Sequence, residues 1–246
     1  MKQEIIIFKH KKDGKRMKTI ALIGAYEKTD LILCISKIIT MTGKKVLFVD
    51  TTITQKARYI IPSIAPTKAY ITEYEGIDIA VGFENFKQIN EYVENYDATR
   101  TDYDVAIIDI DTMESLSQLN INSIEKNFFV TSFDVYSLKR GLEVFTDLKE
   151  PIKLTKVLFS KNLLEEENEY LDYLASQYKI EWDDYIVAFP LTDESVIIES
   201  HAVSKIRLKR LSEQYKLSLE YIVQYILDDV PAREISKARA NAEREG

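Results

Sequence analysis

Cysteine, glycine and proline are all scarce in this chain of 246 residues, with 1, 7 and 5 of each. The single cysteine, Cys34, excludes a disulfide framework within the chain, and its place on the apolar face of a predicted helix indicates core packing. No segment is rich in proline, glycine or serine, so no linker is evident and one domain is favoured. No apolar run approaches the length of a membrane span, so we expect no membrane insertion and a cytoplasmic location.

Positive charge is also in deficit, because 33 lysines and arginines stand against 40 aspartates and glutamates, a net charge of -7. This excess of negative charge argues against a protein whose whole surface binds nucleic acid, although it does not exclude a local basic face. Two groups of basic residues are candidates for contact with nucleic acid or an acidic protein, and a solvated surface is the alternative for each. They are Lys11, Lys12, Lys15 and Arg16 near the N-terminus, and Lys205, Arg207, Lys209 and Arg210 in a predicted helix.

Short β-branched runs alternate with helical patterns along most of the chain. The runs are continuously apolar, which is typical of strands buried on both faces of a parallel sheet. This order predicts one α/β domain over residues 1–230, a doubly wound, mostly parallel sheet flanked by helices, with its site at the carboxyl ends of the strands. Residues 1–18 are expected to add an N-terminal β-hairpin around an Asp-Gly turn, and residues 231–246 to form a frayed polar tail. The expected strands span 20–23, 46–49, 77–81, 105–108, 128–131, 156–159 and 185–189, and the expected helices 30–42, 86–96, 137–148, 165–177 and 196–215.

A strand, a loop, a helix and a second strand follow one another from Thr19 to Asp50, which is the layout of a nucleotide-binding protein. Gly24, Lys28 and Thr29 stand where a phosphate-binding loop needs close backbone approach, a lysine and a metal-binding hydroxyl. Asp50 and Asp109 each end an apolar strand, where a carboxylate can reach Mg²⁺ near the phosphates. Thr29, Asp50 and Asp109 are therefore the candidate magnesium ligands.

Each of these residues also has a purely structural interpretation. Asp50 and Asp109 can cap the loops that follow their strands, and Thr29 can be the N-cap of the first helix, with Asp30 favourably placed at the positive end of the helix dipole. Glu27 opposes the nucleotide interpretation, because it stands where the loop needs its second glycine. A carboxylate about 4 Å from a phosphate oxygen costs roughly 4 kcal/mol at an effective dielectric constant near 20, or about a thousandfold in affinity.

These motifs resemble those of the ParA/MinD family of deviant Walker A ATPases, in the SIMIBI class of P-loop NTPases, from Lys18 to about Leu227. The family loop K-G-G-V-G-K-T-T corresponds to residues 23–30, its GKxVLxxDxD strand to residues 43–52, and its YDxxxxD strand to residues 103–109. Residues 188–193 resemble the loop that flanks the base, which makes Pro190 a candidate nucleotide contact. Family members position plasmids, division septa, flagella and pili, so the resemblance implies ATP or ADP with Mg²⁺, a homodimer and protein partners.

The departures from the family pattern fall mostly in the nucleotide site. Ile23 replaces the signature lysine, Glu27 the loop glycine, Asp30 the second hydroxyl and Thr52 the second aspartate of the strand motif. The resemblance with these losses implies a scaffold that binds nucleotide weakly or not at all, similar to the pilus-localising relatives TadZ and CpaE. The alternative is a slow partition ATPase that binds DNA nonspecifically. The tail after residue 231 has almost no large apolar residues, so a membrane-binding helix like that of MinD is not expected.

Overall fold

A β-sheet of eight strands organises the part of the protein that the structure describes, which in this computed structural model is residues 17–62, 69–83, 85–96, 102–119, 124–161 and 165–245. The strands are β1 (Lys18–Ile23), β2 (Val46–Asp50), β3 (Tyr70–Tyr74), β4 (Ile77–Val81), β5 (Val105–Ile110), β6 (Lys126–Ser132), β7 (Ile152–Ser160) and β8 (Ile180–Pro190). Their order is β3-β4-β2-β5-β1-β6-β7-β8. All neighbouring strands are parallel except β3 and β4, which are antiparallel. The mostly parallel sheet that the sequence predicts is therefore confirmed.

Helices cover both faces of the sheet. They are α1 (Thr29–Thr40), α2 (Ala57–Ile60), α3 (Phe86–Tyr96), α4 (Met113–Ser117), α5 (Val135–Glu143), α6 (Glu165–Ala175), α7 (Glu194–Ala202), α8 (Glu213–Ile226) and α9 (Ala232–Glu245). On β1, Ile20 and Leu22 pack into the core beneath α1, α8 and α9, while Ala21 and Ile23 pack into the core beneath α3, α5 and α6. Successive side chains of a strand point to opposite faces, so a strand covered on both sides must be apolar throughout.

One predicted helix, 196–215, is wrong. The helix α7 ends at Ala202, and Ser204 has a left-handed backbone conformation with φ of 50°. The chain then forms a short 3-10 turn at Leu208–Arg210 before α8 begins, and the hydroxyl of Ser212 caps α8 by accepting a hydrogen bond from the amide of Tyr215. The serine N-cap is the signal for a second helix start that an apolar count over 196–215 passes over.

The segment 231–246 is not a frayed tail over the residues that the structure describes. It forms α9, whose residues Ile235, Ala238 and Ala242 are buried against α1 and α8. Ion pairs flank this contact, because the ammonium of Lys37 lies 2.8 Å from Glu245 and the guanidinium of Arg239 lies 2.6 Å from Glu220. The apolar stripe is made mostly of alanines, so a search for large apolar side chains misses it.

The expected N-terminal hairpin lies largely outside the described residues, since these begin at residue 17. Lys18 itself is the first residue of β1, and its ammonium donates hydrogen bonds to the carboxylates of Asp228 and Asp229, the latter at 2.9 Å. These contacts anchor the start of β1 to the segment between α8 and α9. No helix within the described ranges is both long and apolar enough to cross a membrane.

Candidate functional site

The carboxyl ends of three neighbouring strands meet at one edge of the sheet. In the parallel register, Asp109 of β5 lies beside Leu22 of β1 on one side and beside Asp50 of β2 on the other. The loop after β1 therefore lies next to both strand-end aspartates, as the sequence motifs require. The structure brings Gly24, Lys28, Thr29, Asp50 and Asp109 to one site.

Gly24 fixes the start of the loop. Its amide donates a hydrogen bond of 2.9 Å to the carbonyl oxygen of Ile110, and its φ of +142° lies in the region that favours glycine. A Cβ at this position would lie 2.3 Å from the carbonyl oxygen of Val130 on β6. Only glycine lets the loop pass this close to the neighbouring strand.

Lys28 turns back into its own loop. Its ammonium donates hydrogen bonds to the carbonyl oxygens of Gly24 at 2.6 Å and Tyr26 at 3.2 Å, and it lies 2.9 Å from the carboxylate of Asp109. The two side chains of this ion pair are only 2% and 1% exposed. Burial raises the pKa of Asp109 to about 7, and Lys28 opposes that rise. The lysine is thus satisfied by protein atoms and does not face an open ligand position.

Glu27 lies at the N-terminus of α1. Its carboxylate accepts a hydrogen bond of 2.7 Å from the amide of Thr29, the first residue of the helix, and it also pairs with the ammonium of Lys56. Thr29 is therefore not the N-cap, and that structural interpretation is wrong. The first amides of a helix have no partners within it and attract anions. Here a carboxylate of the chain itself is that anion.

Asp30 links α1 to two other parts of the chain. One carboxylate oxygen lies 2.9 Å from the ammonium of Lys56, and the other lies 2.6 Å from Nε2 of His201 on α7. Burial tends to raise the pKa of Asp30, but His201 and Lys56 outweigh it and hold the pKa below its usual value. Burial likewise lowers the pKa of Lys56, but Asp30 and Glu27 raise it above its ordinary value. These side chains form a network of charges at the start of α1.

Asp50 binds the loop that follows its own strand. One carboxylate oxygen accepts hydrogen bonds from the amide of Thr52 at 3.0 Å and from its hydroxyl at 2.6 Å, and the other accepts one from the amide of Ala57 at 3.1 Å. This is the loop-capping role that the sequence left open. Within the described part of the chain, no group of three or more histidine, cysteine, aspartate or glutamate side chains is arranged to hold a metal ion.

Pro190 ends β8 at the same edge of the sheet and borders a cavity of about 260 Å³. Tyr26, Glu27, Asp30 and Lys56 also line this cavity. A second cavity of about 540 Å³ adjoins it. The space beside the loop is therefore lined by carboxylates and aromatic rings.

The two groups of basic residues are not brought together with this site. Lys11, Lys12, Lys15 and Arg16 lie outside the described residues. The other four lie in the irregular segment between α7 and α8, rather than in the predicted helix, and Arg210 pairs there with Glu199. Those four residues are Lys205, Arg207, Lys209 and Arg210.

The arrangement as it stands does not fit a nucleoside triphosphate with Mg²⁺. Glu27 takes the amide at the start of α1, Lys28 is held by Asp109, and both oxygens of Asp50 accept hydrogen bonds from the next loop. The sequence does not reveal the partners that complete this network. Lys56 lies 29 residues from Glu27, and His201 lies 171 residues from Asp30, so no local pattern connects them.

The strand order, the parallel register and the loop between β1 and α1 define the ParA/MinD type of P-loop NTPase fold. Neither a sequence profile of a protein family nor a curated protein matches the chain. Solved structures of this fold do match it, and each of the three described below covers 86–87% of this chain. The evidence for the class is therefore structural.

Three of these structures show the extent of the likeness. A ParA family ATPase from Chlorobium tepidum TLS has a TM-score of 0.57 and 13% identity over 86% of this chain and 98% of that one. A putative plasmid partition protein from Borrelia burgdorferi B31, bound to AMPPNP, has a TM-score of 0.55 and 10% identity over 87% and 100%. A McdA variant from Cyanothece, in complex with ATP, has a TM-score of 0.54 and 12% identity over 87% and 98%. At such identities the likeness establishes the fold.

Proposed function

We propose that the chain is a ParA/MinD-like scaffold with a degenerate nucleotide site, which acts in the cytoplasm through protein partners rather than through ATP hydrolysis. The observation that carries this proposal is the hydrogen bond between the Glu27 carboxylate and the Thr29 amide at the start of α1. A phosphate group bound at that terminus needs the same donors. The negative charge of Glu27 also repels it.

The buried pair of Lys28 and Asp109 supports the same proposal. For Lys28 to reach a phosphate, its ammonium must leave a carboxylate that is 1% exposed and 2.9 Å away. Breaking a buried ion pair leaves an uncompensated charge and costs about 3–5 kcal/mol. The contacts of a bound nucleotide would have to offset that cost, which lowers the affinity of the site for the nucleotide.

The role we propose is the positioning or assembly of a larger machine, such as a pilus, a secretion or conjugation apparatus, or a plasmid. Support comes from the shared fold, because its solved examples include a plasmid partition protein and McdA. The departures from the family loop are of the kind that the pilus-localising TadZ and CpaE proteins carry. A homodimer is part of this proposal, since the sequence resembles a family that dimerises.

The alternative is a slow partition ATPase that binds DNA nonspecifically. Two structures of this fold contain AMPPNP or ATP, and this chain has Gly24, Lys28, Thr29, Asp50 and Asp109 at the positions of the family motifs. In that case Lys28 and Pro190 would contact the nucleotide, and Thr29, Asp50 and Asp109 would hold Mg²⁺. The basic group at residues 205–210 would then contact DNA.

Calorimetric titration with ATP and Mg²⁺ separates the two functions. The scaffold proposal expects no measurable heat of binding with ATP at about 1 mM, which corresponds to a binding free energy weaker than about -4 kcal/mol. The matched variant is Lys28→Ala, which removes the retained loop lysine. Micromolar binding in the wild type that this variant abolishes would overturn the scaffold proposal in favour of the ATPase.

A further inference from the structure

Two adjoining cavities near the loop after β1 form one open crevice. Their volumes are about 540 Å³ and about 260 Å³, and both are bordered by Tyr26, Phe159, Leu191 and Glu194. We call this space the acidic crevice. The space is large enough for a peptide side chain and its neighbours. The acidic residues that line it are Glu27, Asp30, Asp134, Glu167 and Glu194.

Negative charge dominates the acidic crevice, because five carboxylates line it against two lysines. Glu27 and Asp30 are matched by Lys56. The carboxylate of Glu194, by contrast, makes no hydrogen bond or ion pair with any residue in the described ranges, and it borders both cavities. Burial raises the pKa of the Tyr26 hydroxyl to about 12, with further increases from Glu194, Glu27 and Asp134. The carboxylates of Glu194, Glu27 and Asp134 therefore all add negative electrostatic potential at the Tyr26 hydroxyl.

The aromatic rings of Tyr26 and Phe159 lie beside these carboxylates. The ring centroids of Tyr26 and Phe159 are 4.7 Å apart, and Phe159 stacks on Phe189 at 5.0 Å. Tyr26 is half-buried, so part of its ring faces the open space. An aromatic face beside carboxylates attracts a guanidinium or ammonium group by cation–π and ionic interaction. The same surroundings repel a phosphate.

Exposed apolar side chains lie beside acidic residues of the crevice. Tyr136 is 69% exposed and Val135 65% at the start of α5, and Ile198 on α7 is 59% exposed. Val135 and Tyr136 follow Asp134 in the sequence, and Ile198 lies on the same helix as Glu194, so exposed apolar side chains lie close to acidic residues of the crevice. An apolar rim around charged pockets suits a peptide with alternating basic and apolar residues better than a small free cation.

We propose that the acidic crevice binds a basic peptide segment of a protein partner, with an arginine or lysine side chain between Glu194 and the ring of Tyr26. This inference rests on the proposed function, in which no nucleotide fills the crevice. The charge of the crevice selects against acidic partners, and its apolar rim contacts the residues that flank the basic side chain. The proposed binding surface is thus the edge of the sheet at which the family binds nucleotide, but here it favours a positively charged ligand over a negatively charged one.

The probe is a fluorescein-labelled nine-residue peptide with three arginines spaced by leucines, and its matched control carries citrulline in place of each arginine. We expect saturable fluorescence anisotropy with the arginine peptide and none with the citrulline peptide. Glu194→Gln should weaken binding about tenfold, which is the lower end of what a hydrogen bond to a charged group contributes. Tyr26→Leu should weaken it several-fold. Glu181→Gln, an exposed carboxylate at the other end of β8, should leave it unchanged.

Each other outcome overturns the proposal in a distinct way. No saturation by about 1 mM peptide, or equal binding of both peptides, removes the basic-peptide site. Equal losses in the Glu194 and Glu181 variants mean attraction by net charge only. Tenfold stronger binding after deletion of residues 1–16 assigns the crevice to the chain's own basic segment. Displacement of the peptide by micromolar ATP with Mg²⁺ overturns the proposed function as well, whereas failure of both ligands to bind overturns this inference alone.

Discussion

Glu27 is the residue at which the difference from a phosphate-binding loop can be tested most directly. Glu27→Ala removes its negative charge, and Glu27→Gly also restores the residue type that the loop pattern needs. We expect both variants to bind ATP with Mg²⁺ at least tenfold and up to about a thousandfold more tightly than the wild type, because a carboxylate about 4 Å from a phosphate costs roughly 4 kcal/mol. Calorimetry measures the gain. Undetectable binding in all three proteins would mean that Glu27 is not the main obstacle.

Asp109 makes the stability of the protein depend on pH. Burial raises its pKa to about 7, above the ordinary value of 3.8 for an unperturbed carboxyl. The folded state therefore binds a proton more tightly than the unfolded state, which stabilises the fold below about pH 4, and this contribution is lost as the pH rises through about 7. We expect the free energy of unfolding of the wild type to fall, relative to that of Asp109→Asn, between these pH values. Urea unfolding at several pH values measures the difference, and a constant difference would contradict the raised pKa.

At the scale of secondary-structure elements, α9 is held by a narrow contact of small side chains. Ile235 is fully buried, so Ile235→Ala should reduce the free energy of unfolding by about 2–4 kcal/mol through lost burial and a residual cavity. Lys237 is exposed on the same helix, and Lys237→Ala should change it by no more than about 0.5 kcal/mol. Chemical unfolding compares the two variants. Equal effects would show that α9 does not pack as the structure has it.

The elements that the sequence predicts well are those with a single strong signal. The central strands are continuously apolar because helices cover both faces of the sheet, and this pattern indicates a parallel sheet. β3 is an antiparallel edge strand, Tyr70–Tyr74, in which the polar residues Thr72 and Glu73 interrupt the apolar run and give a weaker signal. The segment 196–215 carries apolar residues throughout, but Ile206, Leu208 and Leu211 are buried without a helix to space them. In α9, alanines make the contact and give no large apolar signal.

The candidate site likewise has features that the sequence predicts and features that it does not. Gly24, Lys28, Asp50 and Asp109 are recognisable because each follows or ends a parallel strand, and those ends must meet. What the sequence cannot give is which charge pairs with which, because tertiary folding brings Lys56 to Glu27 and Lys28 to Asp109 across long stretches of chain. The function of the site depends on that pairing more than on the presence of the residues.

For the whole molecule, the distribution of charge favours basic over acidic partners. The net charge is -7, and the edge of the sheet that carries the crevice is lined by carboxylates. The basic residues between α7 and α8 are partly neutralised, since Arg210 pairs with Glu199. A surface of this kind gives little of the counterion release that drives nonspecific binding to DNA.

The full chain should therefore show no retention of double-stranded DNA in a mobility-shift assay at about 50 mM salt, a concentration at which phosphate contacts are strong. A protein with six to ten such contacts would bind there and lose about 10³- to 10⁵-fold in affinity by 200 mM. The matched variant, Lys205→Ala with Lys209→Ala, removes two exposed ammonium groups and should behave like the wild type. Salt-dependent retention that this variant weakens would contradict the prediction and favour the partition ATPase. Retention that it leaves unchanged would instead assign DNA contact to another surface of the chain.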